Sequence, residues 1–229
     1  FNGDLSGWGE RVRAAKDTSY MFHDAANFRQ ELSQWKLNNC KNASGMFAQA
    51  ASFNGDLSGW QVSNVTDMSD MFAGAPAFEG NGLDEWNVSN VTSMNGMFQL
   101  ASVFNGDISN WKVGEVMDMS RMFVGAVSFD RDLRRWDVSM VRFMNRMFNL
   151  ALKFRGKGLS KWNVSKLREM TSMFEDALEF NEDISDWDVS SVEVATDAFK
   201  DAKKFNQKHK PSFPSTATLD VPVVVQEAR

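Results

Sequence analysis

Residues 53–75 read FNGDLSGWQVSNVTDMSDMFAGA, and the reading of this stretch decides the fold. Asn54-Gly55-Asp56 is turn chemistry, because Gly accepts positive φ while Asn and Asp bond to neighbouring backbone. Leu57, Trp60 and Val62 make a short apolar segment suited to a half-buried strand. Val65, Met68, Met71, Phe72 and Ala75 follow at i, i+3, i+6, i+7 and i+10, the spacing of one helical face. Ser63 or Thr66 is placed to cap that helix. The stretch therefore predicts strand, turn, helix, turn.

The same unit recurs along the chain. Trp falls at 8, 35, 60, 86, 111, 136, 162 and 187. Phe precedes it at 1, 28, 53, 78, 104, 129, 154 and 180, with one more at 205, and Met-Phe pairs follow at 21/22, 46/47, 71/72, 97/98, 122/123, 147/148 and 173/174, decaying to Ala198-Phe199. A unit of this size cannot bury its apolar face alone, so copies must stack with like residues over like residues. Where a copy has 26 residues rather than 25, the extra one lies between Phe and Trp (Phe78 to Trp86, Phe154 to Trp162) and falls in the turn. In the first copy Trp8 to Met21 is 13 residues against 11 elsewhere, a distorted coil carrying Arg11, Arg13 and Lys16. The expected fold is an α/β solenoid of about eight strand-turn-helix coils of 25–26 residues spanning 1–206, followed by an irregular Pro-containing tail at 207–229.

The pattern W-x-V-S-x-V-x-x-M-x-x-M-F-x-x-A-x-x-F-N-x-D-[LI]-x-x-W runs here as WQVSNVTDMSDMFAGAPAFEG from Trp60 and WKVGEVMDMSRMFVGAVSFDRDL from Trp111. It resembles the repeat of the BspA-like leucine-rich-repeat surface proteins, which includes the repeat of mycoplasma-type lipoproteins. The resemblance covers residues 1 to about 206 and implies a curved leucine-rich-repeat-like solenoid with a parallel sheet on one face and helices on the other. It also implies cell-surface or secreted proteins that bind other macromolecules.

Composition narrows the function classes. The 229 residues carry 25 basic and 30 acidic side chains, net −5, which argues against a dedicated nucleic-acid surface. A single Cys, Cys40, excludes an internal disulfide and a zinc site of several Cys. No apolar window is long enough for a membrane span. The chain begins inside a repeat at Phe1, which reads as a fragment or processed form of a larger chain or assembly. Residues 200–229 hold six basic against three acidic residues, and VPVVV at 221–225 is an apolar segment able to lie back on the body or pair with a neighbour.

Most conspicuous residues belong to the expected core. Twelve of the 14 Met and 17 of the 19 Phe occupy repeat registers, so Met reads as flexible core filler. Cys40 stands where other copies have Val or Leu and reads as a small core residue. What varies between copies are the positions flanking Trp: Gly7, Gln34, Gly59, Glu85, Asn110, Arg135, Lys161 and Asp186 before it, and Gly9, Lys36, Gln61, Asn87, Lys112, Asp137, Asn163 and Asp188 after it. Projected from the sheet face, they are the candidate ligand surface, with Gln34, Lys36, Gln61, Glu85, Asn110, Lys112, Arg135, Lys161 and Asp186 foremost. Arg131, Arg134, Arg135, Arg142 and Arg146, joined by Arg121 and Arg155, form a candidate basic patch for an acidic partner, sulfated glycan or phosphate, with Asp130, Asp132 and Asp137 placed to pair locally.

Asp4, Asp56, Asp107, Asp132 and Asp183 share one register four residues before Trp. Unscreened carboxylates about 5 Å apart would repel by roughly 3 kcal/mol at an effective dielectric near 20. Turn N–H groups are the modest offset and a Ca²⁺ row the sharper one, although Glu31, Gly82 and Gly158 interrupt the register. Five N-x-[ST] sequons start at Asn42, Asn64, Asn87, Asn90 and Asn163. His23 and His209 join no ligand-spaced cluster, and no nucleophile is set beside a base. The expectation is a non-catalytic module without cofactor or metal that binds a protein or glycan, or else a structural scaffold docking through its ends and tail.

Overall fold

The structure is a computed structural model and describes residues 1–219, so the VPVVV segment lies outside the described residues. Its core is a set of aromatic columns. The Phe that opens each copy stacks on its counterpart in the next, from Phe1 on Phe28 to Phe180 on Phe205, with centroids 5.2–6.4 Å apart. The Phe of each Met-Phe pair makes a second column, Phe22 to Phe199, at 5.2–5.7 Å. Within a copy the two columns touch: Phe98 lies 3.8 Å from Phe104. Such ring pairs add about 0.5–1.5 kcal/mol each beyond area burial.

Tryptophan forms the third column. Trp35 through Trp111 and Trp136 through Trp187 stack at 6.0–6.4 Å with nearly parallel planes. Each buried indole N–H needs an acceptor, and the preceding copy supplies it. Trp60 donates to the Leu32 carbonyl at 2.8 Å, Trp86 to Leu57 at 3.2 Å, Trp111 to Leu83 at 2.8 Å and Trp187 to Leu159 at 2.8 Å. This bond ties the register of every copy to that of its neighbour. Met68, Met71, Met94 and Met97 are fully buried beside the rings.

The backbone overturns the α/β expectation. Among the described residues there is no strand or sheet, only eight single parallel bridges running from Asp17 and Asn42 to Val194 and Thr218, and the segment from Val65 to Ala75 is a run of turns. The hydrogen bonds show why. The N–H groups of Ala43, Gly45, Phe47 and Gln49 donate forward to Asp67, Ser69, Met71 and Ala73, whereas those of Met46, Ala48 and Ala50 donate back to Ala43, Gly45 and Phe47. Donors alternate between the next copy and a turn within the same copy. A helix would satisfy its N–H groups beyond the first turn internally, leaving neighbouring copies joined mainly by side chains. The leucine-rich-repeat-like solenoid with a strand and a helix in every coil, and a parallel sheet on one face, is thus replaced by stacked turns.

Alternation is possible because two positions per copy adopt left-handed backbone. One column comprises Tyr20, Gly45, Asp70, Gly96, Arg121, Arg146, Ser172 and Asp197, the other Asp24, Gln49, Gly74, Leu100, Gly125, Leu150, Asp176 and Asp201, with φ between +53° and +67°. Two residues in this conformation, four positions apart in each copy, exclude an α-helix across that segment. Neither Ser63 nor Thr66 is a helix cap: Ser63 turns the chain, and the Thr66 hydroxyl donates to the Lys41 carbonyl at 3.1 Å.

Among the described residues the one α-helix, α1 at Gly9–Ala14, uses the two extra residues of the first copy. It buries Val12 to 2% exposure against the end of the core and leaves Trp8 44% exposed, outside the indole column. At the other end Ala195 donates to the Thr218 carbonyl at 2.8 Å, and the Lys210 ammonium lies 5.6 and 5.8 Å from the ring centres of Phe199 and Phe213. The additional residues of the longer copies fall in the Phe-to-Trp turn, where Gly80, Gly82, Gly156 and Gly158 take φ of +79° to +95°.

Candidate binding surface

Among the described residues there is no sheet face, but the residues flanking the Trp column line an exposed edge of the stack. Gln34, Gln61, Glu85, Asn110, Lys112, Arg135, Lys161 and Asp186 are exposed, and Lys36 is half-buried because its ammonium donates to the Gly59 carbonyl at 2.9 Å. Gln61 accepts from the Asn38 amide. Asn110 Oδ1 accepts from the Arg135 guanidinium at 2.6 Å, one copy on. Side chains in this register therefore reach one another between adjacent copies.

The aspartates of the shared register each close a local turn. Asp4, Asp56, Asp107, Asp132 and Asp183 each accept the backbone N–H two residues on, at 2.9–3.1 Å. At Asp107 and Asp183 the hydroxyl and then the backbone N–H of the following Ser hold the carboxyl below the usual carboxylate range. Partial burial raises Asp132, but bonds from Arg134 and Lys157 outweigh it and its pKa is lowered. Among the described residues no group of three or more His, Cys, Asp or Glu is arranged to hold a metal. Cys40 is fully buried within 3.3 Å of the Thr18 hydroxyl, and burial pushes its thiol up, away from the reactive thiolate.

The sequence-predicted basic patch divides. Arg134 and Arg135 stand together on the Trp edge and line a shallow depression of about 400 Å³ with Ser109, Asn110, Asp132 and Lys157. A second depression, of about 260 Å³, continues it and shares Arg134 and Lys157 while adding Gly158, Ser160, Lys161 and Glu182. Arg131 donates to the Asn105 carbonyl at 2.7 Å and lines a separate hollow of about 410 Å³ with Glu79 and Asp84. Arg142 and Arg146 do not join the furrow: Arg142 adjoins the bridge residue Phe143, and Arg146 sits in a left-handed column. Lys157 is the member that sequence reasoning missed. Its signal was the extra residue of the Phe154-to-Trp162 turn, which sets Lys157 3.4 Å from Asp132 of the preceding copy.

The sequons also divide. The Asn64 and Asn90 amides donate to the carbonyls of Asn38 and Ser63 at 2.6 and 2.7 Å, and Asn42 reaches Asp17. Among the described residues exposed Asn87 and Asn163 engage only Oδ1, as acceptor from the backbone N–H of Ser89 and Ser165.

Comparison with known proteins gives one family, described as Mycoplasma protein of unknown function, DUF285, whose pattern matches residues 1–84, 77–158 and 135–227. The chain belongs to this family. Successive matches along nearly the whole length make DUF285 a repeat family here, and the aromatic columns are the physical form of that repetition. No curated protein matches the chain. Among the described residues no helix is long and apolar enough to cross a membrane.

Proposed function

We propose that the chain is a non-catalytic recognition module, at the cell surface or secreted, that binds a protein or glycan partner through the edge flanking the Trp column. The observation that carries this reading is the division of labour between registers. Rings and thioethers repeat and are buried, whereas the Trp-flanking positions differ in charge and size from copy to copy and are exposed, apart from half-buried Gly9, Lys36 and Gly59. A repeated scaffold holding a variable edge at fixed spacing suits recognition, because changes along the edge leave the core untouched. The resemblance to BspA-like surface repeats supports the location. The acidic balance disfavours nucleic acid as partner, and the reading requires no cofactor.

The test is an array of extracellular proteins and glycans probed with the purified chain and with alanine variants at Gln34, Gln61, Glu85, Asn110, Lys112, Arg135, Lys161 and Asp186. Loss of a ligand in some variants with unchanged unfolding midpoints is the expected result. Binding that survives every substitution removes the edge from consideration.

A structural scaffold role is the second reading, favoured by Phe1, Trp8, Tyr20 and Met21, which leave exposed apolar surface at the first copy. It predicts self-association or assembly lost on Tyr20→Ser with Met21→Ser, with edge-dependent binding intact.

A further inference from the structure

The edge changes sign along the stack. The Phe-to-Trp turns at 129–136 and 154–162 carry Arg131, Arg134, Arg135, Arg155, Lys157 and Lys161 against only Asp130 and Asp132. Acidic turns flank this block, with Asp107 in the turn directly before it, Glu79, Asp84 and Glu85 one copy further back, and Glu182, Asp183 and Asp186 immediately after it; of these Glu182 reaches the end of the furrow, where its carboxylate accepts from the Ser160 hydroxyl at 2.9 Å. Within the block Asp130 is committed to Arg155, and Asp132 is shared by Arg134 at 2.9 Å and Lys157 at 3.4 Å. Arg135 is aimed by a neutral amide, the 2.6 Å bond to Asn110, so its direction is set while its charge stays uncompensated. Lys161 makes no side-chain ion pair or hydrogen bond among the described residues and lines the same furrow.

Resting on the edge reading above, we propose that this furrow is a site for a linear sulfated glycan, with Arg135 and Lys161 taking sulfate groups and Arg134 and Lys157, ordered by Asp132, flanking them. A sulfate ester offers the acceptor oxygens that a guanidinium fork engages in pairs. Other ligand classes fit less well. The furrow is lined by charged and small polar residues and glycine, with no exposed aromatic anchor. Protein hot spots centre on buried aromatic and apolar contacts, and single-stranded nucleic acid needs stacking platforms. The acidic turns on both flanks would repel an anionic membrane surface or a long duplex, which confines the ligand to a short run of copies.

The experiment measures binding of a heparin-derived octasaccharide, its fully desulfated counterpart and an oligoglutamate of matched charge, by titration calorimetry at low and physiological ionic strength. The sulfated probe should bind with affinity that falls as salt rises, and the desulfated one should not bind. Arg135→Ala and Lys161→Ala should each weaken binding about threefold and together about tenfold. Arg135→Lys should also weaken it, because the charge survives and the fork does not. Arg142→Ala with Arg146→Ala, outside the furrow, should leave binding unchanged, and all variants should keep the unfolding midpoint. Equal or tighter binding of oligoglutamate would replace the glycan with an acidic protein segment and overturn the proposal. Absence of octasaccharide binding, or indifference to Arg135 and Lys161, would do the same. If an array ligand still depends on Gln61 or Glu85 in that event, the edge reading stands and only the sulfated ligand falls.

Discussion

Gly74→Ala separates stacked turns from helices by the sign of its effect. In a helix spanning Val65 to Ala75, Gly74 would hold right-handed backbone in the last turn, where alanine is favoured over glycine by up to about 0.8–1.0 kcal/mol. In the structure Gly74 has φ +67°, and a Cβ there would lie 2.4 Å from the Gln49 amide nitrogen of the preceding copy. The Gln49 side chain is exposed and can move aside, so most of the penalty is the left-handed backbone, about 1–2 kcal/mol for an L side chain. Gly125→Ala is a sister test: φ is +64° and the new Cβ would lie 2.9 Å from Leu100 Cδ2. Urea unfolding of each variant should show a lower midpoint with unchanged slope, corresponding to a loss of about 1–2 kcal/mol. A raised midpoint for both would refute the turn assignment and restore the helix.

Further expectations follow from the columns and the turns. Phe98→Ala removes a fully buried ring packed against Phe72, Phe104, Trp111 and Phe123, and should cost about 3–5 kcal/mol in chemical denaturation; a loss under about 1 kcal/mol would contradict a close-packed column. Trp111→Phe keeps an aromatic ring but strips the Leu83 carbonyl of its 2.8 Å partner, so a loss of about 1–3 kcal/mol is expected, and no loss would mean the indole bond does not hold register. The lowered pKa values of Asp107, Asp137, Asp183 and Asp188, caused by serine hydroxyl and then backbone N–H bonds, contribute stability that is present above the unfolded-state pKa near 4 and is lost as pH falls through the lower folded values. Asp70 acts in the opposite direction, because burial raises its pKa. The urea midpoint should therefore fall below about pH 4, and a midpoint flat to lower pH would count against the serine-bonded turns.

Which parts of this molecule were legible in the sequence depends on what spacing can encode. Like-on-like stacking of Phe, Met and Trp was readable, because an identical residue at a constant interval has a stacking partner only in a neighbouring copy. The backbone between them was not. Val65, Met68, Met71, Phe72 and Ala75 face inward equally well from a helix or from consecutive turns, since both return the chain to the core every three or four residues. Gly74 and Gly125 within the supposed helices were the available warning, yet the equivalent positions elsewhere hold Gln49, Leu100 and Leu150, which no propensity assigns to left-handed backbone. Trp8 broke its own pattern because the two extra residues of the first copy became α1. At the candidate site, Arg134, Arg135 and Lys161 were visible as charged residues beside Trp. Lys157 entered through the geometry of an inserted turn.

The cross-copy backbone bond is the most direct handle on the whole arrangement. In an isotopically labelled chain, a scalar coupling transmitted through the hydrogen bond should connect the Phe72 amide to the Met97 carbonyl, whose oxygen lies 2.9 Å away in the next copy. A coupling from the Phe72 amide to the Met68 carbonyl instead would place this segment in a helix and contradict the stacked-turn architecture.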